Sequence, residues 1–254
     1  RDRSGEITAG TGYNVYSTEK EGSYKGLLCP MAAVSQRLPA GFEARISASR
    51  TVRFPTLHHL YSESSGNPGL MPEEAVKFEV GAERWIFLRG ESYLSIEAAY
   101  FYNDLRNLIY RSSRSYRYNN IGEARIAGFE LRICCSLAPC LSGSVSFGLL
   151  DRRVTTDELL EGVTPEKTEA ALTARTGFGT EFNYRFAVFG ERSTYAAGRY
   201  LGGYAVHNLN AEQRIGDKVR LRAELDNIFD ENYEEELGFP ASGRRFSAGF
   251  IVTM

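Results

Sequence analysis

Adjacent imidazoles at His58 and His59, with a phenol two residues on at Tyr61, are side chains of types that can ligate a metal. Imidazole is a common axial ligand of haem iron. A solvated or loop-packing histidine pair is the other reading of the same residues. His207 falls inside an alternating run and reads as part of a wall. Tyr110, Tyr116 and Tyr118 lie where the connection near Arg111 to Tyr116 begins and ends, and they join Tyr61 as candidate contacts.

Sulfur chemistry is the next possibility. Cys134, Cys135 and Cys140 flank a short turn, and a Cys135–Cys140 disulfide would staple the base of a hairpin if that turn faces an oxidising compartment. Cys29 has no mate in the sequence. The four cysteines lack the paired spacing of zinc motifs, so no metal centre is expected. Catalysis has no better footing. Gly10-Thr11-Gly12 and Gly177-Phe178-Gly179 lack the strand-to-helix setting of a phosphate loop, and no Gly-x-Ser-x-Gly element occurs. We expect neither an enzyme nor a resident cofactor.

The elements that carry these residues have a period of two. From Lys218 to Asp226, Val219, Leu221, Ala223 and Leu225 fall on one face, and Arg220, Arg222, Glu224 and Asp226 on the other. The final run repeats the pattern, with Phe246, Ala248, Phe250 and Val252 opposite Arg245, Ser247, Gly249 and Ile251. Related stretches recur along the chain, giving about twelve strands and no convincing helical stripe.

Composition narrows what such a chain can be. Thirty basic residues against thirty-two acidic ones leave a net charge of −2, which argues against a nucleic-acid partner. At 43% hydrophobic and 24% charged, the 254 residues are too apolar for disorder. No run of eighteen apolar residues supplies a membrane helix, but a transmembrane barrel places its apolar band in every second residue.

The connections alternate in length. Short ones fall near Leu38 to Gly41, Leu88 to Glu91, Ala138 to Leu141, Thr180 to Asn183 and Ile215 to Lys218. Long ones fall at Tyr16 to Gly26, Phe54 to Glu74, Arg153 to Glu166, Ala196 to Gly203 and Asp230 to Gly243, with a shorter one near Arg111 to Tyr116. Short turns on one edge and long loops on the other are the asymmetry of an outer-membrane barrel. Tyr13, Tyr16, Tyr100, Tyr102, Tyr195, Tyr200 and Tyr204 gather toward the loop-bearing ends with the tyrosines named above, as an interfacial girdle would.

Several segments carry a family resemblance. Ser49-Arg50-Thr51-Val52-Arg53-Phe54-Pro55-Thr56-Leu57 is similar to a strand-to-loop element, and Gly66-Asn67-Pro68-Gly69-Leu70-Met71-Pro72-Glu73 to an Asn-Pro-Asn-Leu-Lys-Pro-Glu run. Phe101 to Ile109 and Asn119 to Leu131 resemble successive strands. Leu225-Asp226-Asn227-Ile228-Phe229-Asp230-Glu231-Asn232-Tyr233 and Gly238 to Arg244 resemble a final hairpin. In this order they resemble the C-terminal half of a TonB-dependent outer-membrane receptor. The prolines and Asn227 also have plain roles, ending strands and leading into loops.

The resemblance implies an all-β transmembrane antiparallel barrel, with residues 1–254 forming the C-terminal portion of a 22-stranded wall and the plug domain and N-terminal strands lying outside this sequence. It implies uptake of a metal chelate (ferric siderophore, cobalamin or haem) through the outer membrane of a Gram-negative bacterium. The partners are then membrane lipid, the chelate, and a TonB-type energy-transducing protein acting through the plug. In haem-uptake members a histidine between the two proline motifs ligates iron, which singles out His58 and His59. Two rivals remain open: a twelve-stranded translocator exporting a passenger, and a soluble β-sandwich binding module.

Overall fold

Alternation of side-chain character produces strands of the expected number. The computed structural model describes residues 5–17, 24–111, 116–154, 164–194 and 199–253. In chain order the elements are β1 (Gly5–Ser17), β2 (Tyr24–Arg37), β3 (Phe42–Arg53), α1 (Leu57–Tyr61), β4 (Glu73–Phe87), β5 (Tyr93–Tyr110), β6 (Asn119–Ala138) and β7 (Leu141–Val154). They continue with β8 (Glu166–Arg175), β9 (Thr180–Phe189), β10 (Arg192–Ser193), β11 (Tyr200–Leu201), β12 (Tyr204–Ile215), β13 (Val219–Asp226), β14 (Glu234–Glu236), β15 (Phe239–Pro240) and β16 (Arg245–Val252).

One twelve-stranded sheet contains most of them, in the order β1-β2-β3-β4-β5-β6-β7-β8-β9-β12-β13-β16, so each strand pairs with the next strand of the sheet in sequence. The remaining four form two small ribbons, β10-β11 and β14-β15, in the long connections. A single sheet departs from the two-sheet sandwich that the soluble rival requires.

Contacts divide the chain into two units. The first comprises Arg1–Ala82, Ala99–Phe129 and Leu150–Leu160, and the second Glu83–Ala98, Glu130–Leu149 and Glu161–Met254. In the first, the register sets Ile7 beside Val34 and Val34 beside Ile46, with Ala9, Ala32 and Ala48 in the next row of that face. In the second, Leu209, Leu225 and Phe246 align, as do Ala211, Ala223 and Ala248. The neighbouring face there carries Asn210, Glu224 and Ser247.

Among the described residues, large apolar side chains of the apolar face are exposed. Ile7 is 80% exposed and Phe250 73%, values that water would penalise and acyl chains would not. A one-residue slip would carry the charged rows into the same surroundings, so register and facing are fixed together. Strands β5 and β6, of 18 and 20 residues, exceed the roughly 9–11 that a tilted strand needs to cross a bilayer.

The expected absence of helix needs one correction, the five-residue α1. Its residues carry no stripe long enough to register as periodic, and a capping interaction starts it. Parts of four long connections, together with Tyr195, lie outside the described residues.

Candidate functional site

Loop geometry in the first unit begins where β3 ends. Arg53 points its guanidinium at Glu73, with Nε and Nη2 donating to the two carboxylate oxygens. Glu73 opens β4, is only 8% exposed, and accepts a third hydrogen bond from the Ile109 amide at 2.7 Å. One carboxylate therefore joins the ends of β3, β4 and β5. A buried carboxylate is tolerated because its charge is paired and its lone pairs are engaged.

Pro55, buried, breaks the ladder after Phe54 and hands the chain to α1. Thr56 caps that helix by accepting from the His59 amide at 3.2 Å, while His59 Nδ1 accepts from the Thr56 amide at 3.4 Å. This is a capping box with histidine in the place usually held by Glu or Gln. The His59 ring therefore has a structural use. Its pKa lies below the ordinary histidine value because of partial burial first, then the nearby positive charges of Arg53 and His58, against the opposing pull of Glu73.

The chain then folds back on itself. Leu60 and Leu70 are buried, Gly66 donates to the Ser62 carbonyl, and Asn67 donates to the His59 carbonyl at 2.8 Å. A Cβ at Gly66 would lie 2.5 Å from the Ser62 carbonyl oxygen, so this close approach of backbone to backbone requires glycine. Asn67 turns the next segment by accepting from the Gly69 amide, and its side-chain amide donates to the Tyr118 carbonyl. Pro68 is exposed and Pro72 half-buried, the latter directly before β4.

Tyr118 is where two long connections meet. Its amide donates to the Ser65 carbonyl at 2.9 Å, and its ring lies 4.6 Å from the His59 ring and 5.9 Å from His58. Arg111 lies over the same ring, 5.8 Å from its centroid. Asn120 fastens the pair of connections from the strand side. It accepts from the Met71 amide at 2.8 Å and donates to the Met71 and Asn107 carbonyls at 2.9 and 2.6 Å.

Of the candidate contacts, the structure thus gathers His58, His59 and Tyr118. Tyr61 is half exposed on α1, Tyr116 is 90% exposed, and Tyr110 ends β5 within an interacting environment. Arg53, Gly66, Arg111 and Asn120 complete the arrangement, and sequence reading singled out none of them as a site residue. Arg53, Gly66 and Asn120 fall inside segments that carry the family resemblance, whereas Arg111 left no signal.

The second unit has its own loop cluster. Asn227, 4% exposed with φ of 49°, accepts from the Glu231 amide and donates to the Glu231 and Ser242 carbonyls. Tyr233 stacks on Tyr204 at 4.0 Å, Tyr204 stacks on Phe189 at 4.7 Å, and Arg192 lies over Tyr204. Phe229 meets His207 edge-on at 4.7 Å. Asn227, Phe229 and Tyr233 each contact residues of neighbouring strands or of the same long connection. Tyr204 is buried in this stack, unlike the outward-facing Tyr13, so the girdle does not include it.

Cys135 and Cys140 are free thiols, as are Cys29 and Cys134. The stapling disulfide is therefore not formed. Cys135 Sγ approaches the Cβ position of Gly143 at 3.9 Å on β7, while Cys140 is exposed in the turn. Among the described residues no three His, Cys, Asp or Glu side chains gather as a metal site.

Comparison with known proteins agrees with this arrangement. A family model described as TonB dependent receptor-like, beta-barrel, matches residues 6–228. Among solved structures, the siderophore receptor PirA from Acinetobacter baumannii superposes with a TM-score of 0.77 at 15% identity, over 98% of this chain and 43% of that one. The copper transporter OprC gives a TM-score of 0.73 at 21% identity, covering 91% and 40%. The ferric-catecholate import receptor Fiu from Escherichia coli K12 gives 0.71 at 16%, covering 90% and 35%. The chain spans less than half the length of these structures, and the likeness to them establishes its fold. With a family model covering most of its residues, a sheet of sequentially paired antiparallel strands and long loops along one edge, the chain belongs to the TonB-dependent receptor β-barrel family of the Gram-negative outer membrane.

Proposed function

We propose that this chain is the C-terminal wall of a receptor that imports a metal chelate across the outer membrane, with energy supplied by a TonB-type partner acting through a plug domain on another part of the polypeptide. The observation that carries the reading is the match to a receptor family over residues 6–228, in a chain whose long connections are tied into an ordered edge. The family consists of transporters rather than catalysts, and export of a passenger has no observation in its favour.

Ferric siderophores come first among the chelates, with support from the names of PirA and Fiu, and OprC adds copper. Cobalamin and haem rest on resemblance alone. For haem, His58 is the better ligand, because His59 Nδ1 is engaged in the cap. Tyr61 and Tyr116 offer further exposed phenols.

The test is uptake by cells carrying or lacking the complete gene. Radiolabelled iron is supplied as tricatecholate, trihydroxamate and haem, and copper and cobalamin are supplied separately. Gene-dependent uptake that disappears when the TonB-type partner is deleted supports the reading. Equal uptake of all of them with and without the gene overturns it. Replacement of His58 by alanine abolishes uptake only in the haem case.

A further inference from the structure

A polar ring stands on the apolar face of the second unit. Leu209, Leu225 and Phe246 form one row of that face, and two residues from Leu209 toward the loop-bearing end His207 lies beside Phe186. The His207 side chain is half-buried. Phe186 tilts against its ring at 4.5 Å, Phe229 stands perpendicular to it at 4.7 Å, and the Tyr184 hydroxyl is 2.5 Å from Nδ1.

That hydrogen bond sets the tautomer. Among the described residues the Tyr184 hydroxyl has no other acceptor, so it donates to Nδ1, and the neutral imidazole carries its proton on Nε2. The reverse assignment would leave the hydroxyl hydrogen and Nε2 both without partners. Nε2–H is then a donor that no described residue engages, on a ring walled by aromatic carbon.

Depth decides what can accept from it. His207 precedes Ile215, the short-turn end of β12, by eight residues, which is about 26 Å of strand at roughly 3.3 Å per residue. A barrel strand tilted by roughly 35–45° converts that length to about 20 Å of height, within an apolar band about 25 Å tall. The ring therefore lies just below the outer headgroups, where an unpaired N–H is costly and the nearest polar atoms of the lipid are the carbonyl oxygens that begin its acyl chains. It faces away from the wet side that would hold a plug, and both sheet neighbours of β12, namely β9 and β13, are described.

We infer that His207 anchors a lipid seat, with Nε2–H donating to the acyl carbonyl oxygen of an outer-leaflet lipid. The acyl chain runs toward the short-turn edge over the row of Leu209, Leu225 and Phe246 and then the low row of Ala211, Ala223 and Ala248. A lipid is favoured over a protein partner because these rows are continuous with a face whose large side chains, Phe246 and Phe250 among them, are exposed. The inference rests on the facing of the barrel and not on what the receptor imports.

The test isolates the carbonyl. The full-length receptor in detergent is titrated with a diacyl phosphatidylethanolamine and with its dialkyl ether analogue, which has the same headgroup and chain length and no acyl carbonyl, and bound lipid is counted by native mass spectrometry. The diacyl form is expected to bind one site about fivefold more tightly than the ether, the scale of one net hydrogen bond. Lipid A, with ester- and amide-linked chains, displaces it from that site.

His207→Phe keeps an aromatic ring and abolishes the preference. His207→Gln, whose amide still donates, retains it, and heat-modifiable mobility shows that both variants fold. In receptor carrying ¹⁵N-histidine, the His207 Nε2–H resonance lies at lower field in diacyl than in ether-lipid nanodiscs. Equal binding of the two lipids, a preference that survives in H207F, failure of lipid A to displace the probe, or a receptor dimer that H207F dissolves without any lipid preference overturns the seat.

Discussion

Arg53 and Glu73 are joined through both carboxylate oxygens, although twenty residues and a helical loop separate them in sequence. The two partners are unequal, because the Arg53 side chain is mostly exposed and that of Glu73 is not. Removing Glu73 strands the Ile109 amide and the Arg53 charge together. We expect Glu73→Ala to cost about 2–3 kcal/mol locally, in the range for charged hydrogen bonds. Arg53→Ala should cost roughly 1 kcal/mol, since exposure screens the pair. Proteolysis rates of the 54–72 segment in the intact receptor check the order, and equal sensitivity of the two variants would refute it.

Gly66 makes a sharper case. Its added Cβ meets backbone on three sides, at Ser62 N and O and at Leu60 O, and backbone cannot rotate away as a side chain can. Gly66→Ala should therefore open the turn that lets Asn67 reach Tyr118, and it should speed hydrogen exchange at the Gly66, Asn67 and Tyr118 amides. Gly177→Ala, where an added Cβ meets nothing within 4 Å, serves as the quiet control.

The His59 cap gives a pH dependence whose sign can be worked out. Its folded-state pKa lies below the ordinary value of 6.5, so the folded loop favours the neutral ring and the unfolded loop takes up the proton first. The stabilisation is fully present above about pH 6.5 and is lost as pH falls from there toward the lowered value. Protonation also turns the Nδ1 acceptor into a donor facing the Thr56 amide. Amide exchange in α1 should accelerate on acidification. His59→Gln, which keeps a neutral acceptor at that position, should remove the acid sensitivity.

The facing of the strands was legible because one rule governs every residue. At Leu221 and Arg222 the sequence alone assigns lipid to one side chain and water to its neighbour, and the register places Leu221 beside Phe250 and Arg222 beside Gly249. The loop edge obeys no such rule. Asn120 binds Met71 across 49 residues, and nothing local in either residue marks the contact. The His58 and His59 pair was visible as chemistry, but the capping role of His59 depends on Pro55 stopping β3 and Thr56 starting α1. The stack of Tyr204 on Tyr233 likewise needs the long final connection to fold back.

The same facing rule has a measurable consequence. Leu221→Arg sets a charge into the apolar row, at a cost of roughly 2–4 kcal/mol if the position lies near the bilayer midplane. Arg222→Leu adds an apolar group to a wet face and should change little. Heat-modifiable mobility of the full-length receptor on gels separates the two, with folded material lost for the first variant and retained for the second. Loss of both would mean that the assigned facing is wrong.

Asn227 tests whether motif residues of the last connection are architectural. Its side chain both donates and accepts, and its φ of 49° is tolerated by asparagine better than by most residues. Asn227→Asp keeps the acceptor for the Glu231 amide but turns a negative charge toward the Glu231 and Ser242 carbonyls. Asn227→Gly keeps the backbone conformation and loses every side-chain bond. If the residue holds the loop, both variants loosen it, with Asp worse than Gly because repulsion is added to loss of bonds. Affinity for the proposed chelate should then fall only as far as the loop does, read by comparing binding with exchange at the Glu231 amide. A variant that loses affinity while Glu231 stays protected would instead make Asn227 a contact.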